Sequence, residues 1–179
     1  MRVIIFGASG SGTTTLGLTL AQKLQWNHLD ADDYYWAKTN PPFEKKLDRK
    51  TRIGNLKRDF QRFEQVIISG SLSTWGEYWN TAFDLGVFLY LPKDIRLNRL
   101  QKREEERYGT QLEGDQKIIT KSKAFLEWAS QYDNADFNGR SIIQHRQWIE
   151  DLACPVIEIQ GDLSNEERID IVLKRIQEK

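Results

Sequence analysis

The amino-acid sequence predicts an α/β fold of three layers around a five-stranded parallel sheet. Short apolar runs alternate with longer stretches of helical periodicity, the pattern of βαβ units. The first apolar run leads straight into a glycine-rich turn and then into an apolar stripe at helical spacing. With 179 residues, 39% of them hydrophobic, the chain can build one real core, so a single domain over 1–179 is expected.

The elements are expected in the following order. Val3, Ile4, Ile5 and Phe6 form the first strand. The chain opens directly into it, and no signal peptide is expected. A helix begins at about Thr13 and carries Leu16, Leu20 and Leu24 along one stripe. Asn27–Asp30 reads as the second strand. Residues 34–64 read as irregular chain followed by helix, with Pro41-Pro42 as the breaker. This segment is the expected acceptor-binding part. The third strand covers 65–69 and stops at Gly70; the fourth covers 85–91 and stops at Pro92. A helix starts near Asp94 and carries four arginines. Residues 109–139 are polar, aromatic and interrupted, which predicts a mobile insert; a lid is expected over about 104–139. A helix over about 141–152 and a fifth strand over 155–159 follow. The last helix opens with the capping box Ser164-x-x-Glu167 and has Ile169, Val172, Leu173 and Ile176 at helical spacing.

Charge and composition narrow the function classes. There are 26 basic and 26 acidic side chains, whereas a protein that grips nucleic acid usually has a basic excess. Any anion must therefore meet a local cluster. Residues 93–107 hold six basic and four acidic side chains, a net of +2, too thin for a nucleic-acid groove. A nucleic-acid-linked ATPase is thus disfavoured. No apolar run is long enough for a membrane span. The one cysteine, Cys154, cannot form an internal disulfide and suits a reducing cytoplasm. It reads as a small buried apolar residue.

In folds of this kind ligands sit beyond the carboxyl ends of the strands. Gly7 onward, Asp30 to Asp33, Gly70 onward and Gly161-Asp162 all fall at that edge. The run Gly7-Ala8-Ser9-Gly10-Ser11-Gly12-Thr13-Thr14-Thr15 has the form of a phosphate loop. Its glycines let the backbone curl until several N–H groups point at one anion. The helix that follows adds its positive end. Thr14 stands where a hydroxyl would ligate Mg²⁺. The usual motif has lysine where Thr13 stands, and that lysine brings a full charge to the β- and γ-phosphates. A dinucleotide-binding turn is the competing reading. It needs glycine or alanine where Thr15 stands, and the threonine triplet favours triphosphate and metal.

Two further clusters carry charge to that edge. Asp30, Asp32 and Asp33 can hold Mg²⁺ through water or accept a proton from a substrate hydroxyl. The plain alternative is a solvated turn. Asp32 and Asp30 lead, and periodicity does not choose between them. Arg96, Arg99, Arg103 and Arg107 are spaced three, four and four apart, which puts them on one helix face. Either Glu104, Glu105 and Glu106 neutralise them as a salt-bridged surface, or the stripe grips phosphates and replaces the charge absent at Thr13. The second reading is assigned to Arg99 and Arg103. Of the six tryptophans, Trp36, Trp75, Trp79 and Trp128 fall near strand ends or in the insert. With Tyr34, Tyr35 and Tyr78 they either line an acceptor pocket or pack the core and lid. His28 and His145 sit inside a strand and a helix and are read as no metal ligands.

The ordered features resemble the nucleoside monophosphate kinase-like group of P-loop proteins. More narrowly, they resemble bacterial adenylate kinase-related ATPases with a lysine-less Gly-Ala-Ser-Gly-x-Gly-Thr-Thr-Thr-Leu loop. The residues that carry the resemblance begin with Ile4 to Leu16 and Leu29-Asp30-Ala31-Asp32-Asp33-Tyr34-Tyr35-Trp36. They continue with Ile68-Ser69-Gly70-Ser71 and with Arg96-x-x-Arg99-x-x-x-Arg103-Glu104 behind Phe88-Leu89-Tyr90-Leu91-Pro92. Ile159-Gln160-Gly161-Asp162 closes the set. The resemblance implies a P-loop NTPase fold with a lid that closes over bound ATP. It implies that Arg99 contacts the base or phosphates, that the Gly161 loop passes near the adenine, and that Asp32 faces the acceptor or the metal. Three residues or stretches depart from the pattern: Thr13 replaces the lysine, Tyr90 replaces an acidic residue at the end of strand four, and Ser69-Gly70-Ser71-Leu72-Ser73 lacks the Asp-Gly-Phe-Pro-Arg of adenylate kinases. AMP is therefore not supported as acceptor.

The reading is an ATP- and Mg²⁺-dependent phosphotransferase with an unidentified small acceptor. Gly7, Ser9, Gly10, Ser11, Gly12, Thr13, Thr14, Thr15, Arg99 and Gly161 hold the nucleotide, Thr14 and Asp32 the metal, and Asp32, Arg99 and Arg103 act in transfer. The alternative is a nucleotide-responsive ATP-binding protein with little or no transfer.

Overall fold

The computed structural model describes residues 1–39 and 42–178. Pro41, half of the expected Pro41-Pro42 breaker, lies outside the described residues. The strands are β1 (Arg2–Gly7), β2 (Asn27–Asp30), β3 (Val66–Ser69), β4 (Leu85–Tyr90) and β5 (Val156–Gln160). They form one sheet in the order β2-β3-β1-β4-β5, with every pairing parallel. The three central strands β1, β3 and β4 are buried on both faces or nearly so, which is why they show continuous apolar runs rather than alternation, whereas the edge strands β2 and β5 are partly exposed.

Alternate residues of the strands feed two separate cores. Ile4, Phe6, Val66, Ile68 and Phe88 face one side, where α3 (Arg49–Phe60) contributes Leu56 and Phe60 and α7 (Ile142–Asp151) contributes Trp148. Val3, Ile5, Ile67, Val87 and Leu89 face the other. There α1 (Thr13–Leu24) contributes Leu16 and Leu20, and α8 (Asn165–Gln177) contributes Ile169 and Val172. The period-2 geometry of a strand makes this division unavoidable. The result is the three-layer α/β fold expected from the sequence.

The remaining helices sit along the carboxyl edge or follow from it. A one-turn helix, α2 (Ala31–Tyr35), starts where β2 ends, because the Asp30 side chain accepts from the Asp32 N–H at 2.9 Å and caps it. The segment expected to be an interrupted insert is largely helical. After α4 (Lys93–Tyr108) come α5 (Gln111–Gly114) and α6 (Gln116–Ser130). Asp115 caps α6 by accepting from Lys117 and Ile118 N–H groups, and Ile118, Ser122 and Ala129 give it a buried row. Cys154 is half-buried and packs against the first core instead of lying within it. No helix among the described residues is long and apolar enough to cross a membrane.

The four arginines of α4 do not act as one stripe. Arg96, Leu100, Glu104 and Tyr108 form the buried row, spaced by four. Arg99, Arg103 and Arg107 run beside it. Arg96 is fully buried and structural. Its Nε donates to the Leu91 carbonyl at 2.9 Å, Nη1 to the Ala129 carbonyl at 3.4 Å, and Nη2 to the Asp133 carboxylate. Arg107 pairs with Glu104 at 2.9 Å and lies over the Phe43 ring.

His145 ties α7 to the segments that follow β3 and α6. Its Nδ1 shares a hydrogen bond with the Tyr132 hydroxyl at 2.7 Å, and its Nε2 shares one with the Ser71 hydroxyl at 2.8 Å. Burial holds it neutral, its pKa lowered to about 3, and Arg140 adds to the effect. A depressed histidine contributes stability that is complete above its ordinary value of 6.5 and is lost as pH falls from there towards about 3. The expected slope from His145 is about 1.4 kcal/mol per pH unit across that window. Denaturant unfolding at stepped pH should record it. His145→Gln should lose that share of the slope, and an unchanged slope would contradict the assignment.

Candidate functional site

The loop between β1 and α1 is shaped by its glycines. Gly10 and Gly12 have φ of 83° and 93°, in the left-handed region. A Cβ on Gly10 would lie 2.8 Å from the Arg96 carbonyl oxygen, and one on Gly7 would press into the Leu89 carbonyl oxygen. The loop is therefore wedged against the end of β4 and the start of α4. At its end Gly12 caps α1 without any side-chain bond, and no acidic residue stands in the first turn. The first amide of α1 to bond back is Leu16, to the Gly12 carbonyl at 3.0 Å. The amides of Thr13, Thr14 and Thr15 precede it at the positive end of the helix, where a phosphate would be accepted.

Thr14 and Asp30 meet at the mouth of this loop. The Thr14 hydroxyl donates to Asp30 Oδ2 at 2.7 Å. The same oxygen accepts from the Ser69 hydroxyl at 3.1 Å, and Ser69 contacts His28 Nε2 at 3.0 Å. The carboxylate beside Thr14 is thus that of Asp30. A hydroxyl and an anchored carboxylate fit a hard cation that keeps most of its ligands as water and phosphate oxygens. Among the described residues no group of three or more His, Cys, Asp or Glu is arranged to hold a metal unaided.

Asp32 stands two residues further on, in α2, as an exposed residue. Desolvation of its carboxyl by the neighbouring protein pushes it above the ordinary carboxylate range, Asp30 and Asp33 add to the rise, and Arg140 and Arg103 oppose it. Burial likewise lowers Arg103, with Arg107 adding and Glu104 and Asp32 opposing. Asp32, Arg103 and Arg140 therefore share one electrostatic neighbourhood. Arg140, between α6 and α7, was not expected from the sequence; its guanidinium lies over the Trp128 ring at 5.8 Å.

Tyr35 closes the same short helix as Asp32, and its ring, 6.4 Å from that of Trp75, belongs to an aromatic wall. Arg52 sits over the Tyr35 ring at 4.4 Å and the Trp75 ring at 5.3 Å, and its buried Nε has no partner among the described residues. Lys46 lies over Tyr35 and Trp36. Trp75 and Trp79 are core residues, with Trp79 fully buried, whereas Trp36 and Trp128 are half-buried. A cavity of about 360 Å³ opens between residues 42–44 and α4–α6, lined in part by Glu44, Arg107, Lys117 and Lys121. Lys117 and Lys121 both reach Glu44 at 3.7 Å.

Arg99 and Gly161 come to the other side of the loop. Arg99 pairs with Asp162, which follows Gly161 after β5. Arg168 of α8 was not among the expected site residues, yet its Nη1 donates to the Ser11 carbonyl at 2.9 Å. It stands in one helical row with Val172 and Ile176, and a charge in that apolar row was the available signal.

Comparison with known proteins agrees with this fold. A family model described as an AAA domain matches residues 3–121. The chain belongs to that family. A Bacillus subtilis protein, the uncharacterized protein YqaC, is 46% identical over 172 residues, which cover 96% of this chain and 95% of that one. The cytidylate kinase of Halobacterium salinarum is 28% identical over 124 residues, 59% of this chain and 60% of its own length. Among solved structures, shikimate kinase from Acinetobacter baumannii has a TM-score of 0.60 at 19% identity, over 99% of this chain and 93% of that one. Deoxyadenosine kinase from M. mycoides with bound dATP has a TM-score of 0.59 at 14% identity, over 99% and 100%. The fold is that of P-loop kinases, and the family has nucleotide and small-molecule kinases among its relatives.

Proposed function

We propose that this chain is an ATP-dependent phosphotransferase acting on a small hydroxyl or phosphate acceptor. The observation that carries the reading is the 2.7 Å bond from Thr14 to Asp30 at the mouth of an uncapped glycine loop. The loop from Gly7 to Thr15 binds the triphosphate through its amides. Mg²⁺ would be held by the Thr14 hydroxyl, with Asp30 or Asp32 through water, and would neutralise charge on the β- and γ-phosphates. The acceptor lies between Asp32 and the wall of Tyr35, Arg52 and Trp75, within an acceptor segment of about 34–64. Asp32 orients the acceptor hydroxyl and takes its proton. The acceptor oxygen forms the new bond to the γ-phosphorus, the bond to the β–γ bridging oxygen breaks, and ADP leaves. Arg103, joined by Arg140, faces the transferring group from the two ends of a lid of about 104–139. Catalysis rests on positioning and charge.

The kinase relatives set the acceptor panel. A coupled assay of ADP release should be run with nucleoside monophosphates, deoxynucleosides and shikimate. Acceptor-dependent release with at least one supports the reading. Tight ATP binding with no release for any of them would favour the second reading, a nucleotide-responsive binding protein, which Thr13 in place of lysine supports.

A further inference from the structure

The loop carries Thr13 where a lysine would bring charge, and two guanidinium groups converge behind it. A Cβ on Gly12 would lie 3.0 Å from Arg168 Nη1 and 3.8 Å from Arg99 Nη1. Arg168 is only 5% exposed. It donates to the Ser11 carbonyl at 2.9 Å and to the Gly161 carbonyl at 3.4 Å, and its buried Nε has no partner among the described residues. Like charges this close repel, and burial together with Arg99 lowers the pKa of Arg168. Asp162, bonded to Arg99, offsets one of the two charges. The cluster of Arg99, Arg168 and Asp162 keeps a net +1, the charge a loop lysine would bring.

The position of the contact gives the charge a route to the ligand. The Ser11 carbonyl and the Gly12 N–H are the two ends of one planar trans peptide group and point in opposite directions. A cation held on the oxygen polarises that group and strengthens the N–H as a donor on the other face. The Gly161 carbonyl is tied to the same guanidinium, so the loop after β5 is held in place with the glycine loop.

We propose that Arg168, with Arg99 and Asp162, is a positioning residue that replaces the loop lysine by charging the glycine loop from behind. This rests on the reading that the loop binds a nucleoside triphosphate. Arg168 acts through the Ser11–Gly12 peptide, and the cluster raises affinity for the β- and γ-phosphates.

Calorimetric titration with ATP·Mg²⁺ tests it. Arg168→Gln should weaken binding about tenfold or more, the scale of a charged hydrogen bond. Thr13→Lys in the same chain should restore binding, because the charge then comes from the front; a purely structural arginine would not be rescued that way. Arg168→Lys keeps the charge and should stay within a few-fold of the wild type. Asp162→Asn raises the cluster's charge by one at a half-exposed position, so it should tighten ATP binding, and the gain should shrink as salt is added. This variant decides the matter if Arg168→Gln does not fold. Wild-type affinity in a folded Arg168→Gln, no rescue by Thr13→Lys, or weaker binding by Asp162→Asn would overturn the inference and leave the phosphotransferase reading standing. A wild-type chain that binds no triphosphate would overturn the phosphotransferase reading as well.

Discussion

Replacing Asp32 by asparagine is expected to lower phosphoryl transfer by about 10²–10⁴-fold, the usual contribution of a positioned general base. ATP·Mg²⁺ affinity should fall far less than turnover, because the glycine loop and Thr14 line the triphosphate directly and Asp32 reaches the metal through water at most. The change keeps the size of the side chain and removes only its charge and its capacity to take a proton. Asp32 is also an exposed residue whose carboxyl pKa is raised, not lowered, in the folded state. Neutralising it therefore relieves a cost at neutral pH, and the variant should melt no lower than the wild type. Loss of turnover with an undiminished Tm separates a catalytic role from a structural one. A variant with wild-type turnover would remove Asp32 from the mechanism.

Arg96→Ala is expected to cost about 3 kcal/mol of stability, the lower end for breaking a buried ion pair, because Asp133 is 28% exposed and regains some water. The side chain is fully buried and serves three acceptors: the Leu91 carbonyl, the Ala129 carbonyl and the Asp133 carboxylate. It also lies over the Tyr132 ring at 4.9 Å. These partners tie the start of α4 to the end of α6, so Arg96 anchors the base of the proposed lid. Arg96→Lys should recover little, since an ammonium cannot reproduce the planar fork. Denaturant midpoints read the loss directly. A loss below about 1 kcal/mol would mean that the pairing contributes no more than a surface contact.

These two residues illustrate what the sequence could and could not disclose. The sheet was legible because parallel strands buried on both faces appear as apolar runs, as in Val3 to Phe6 and Leu85 to Leu89. The glycine loop was legible because its conformation demands particular residues at fixed spacing, Gly10 and Gly12 above all. The arginines were harder. Spacing placed Arg96, Arg99, Arg103 and Arg107 on one side of a helix, but one side holds two rows. Arg96 shares its row with Leu100, which marks it as buried; Arg99 and Arg103 lie in the row that reaches Asp162 and the field of Asp32.

Contacts between distant parts of the chain left weaker traces. Arg168 meets Ser11 across 157 positions, and only the charge in an otherwise apolar row of α8 hinted at it. Arg140 falls between helices, where periodicity carries no information. The short helix α2 was hidden because Asp30 reads equally well as a turn residue or as a cap. α6 was obscured because its buried row includes Ser122 as well as Ile118 and Ala129.

The central claim is that main-chain amides after β1 form the binding site for a triphosphate. Titration of ATP·Mg²⁺ into the wild type and into Gly10→Val tests it most directly. In Gly10→Val a β-branched residue is forced to a φ of 83°, and its Cβ meets the Arg96 carbonyl oxygen. The account predicts saturable binding at a single site in the wild type. It predicts none in Gly10→Val, with circular dichroism still that of a folded α/β protein. Equal binding by both proteins, or no binding by the wild type at millimolar nucleotide, would contradict it.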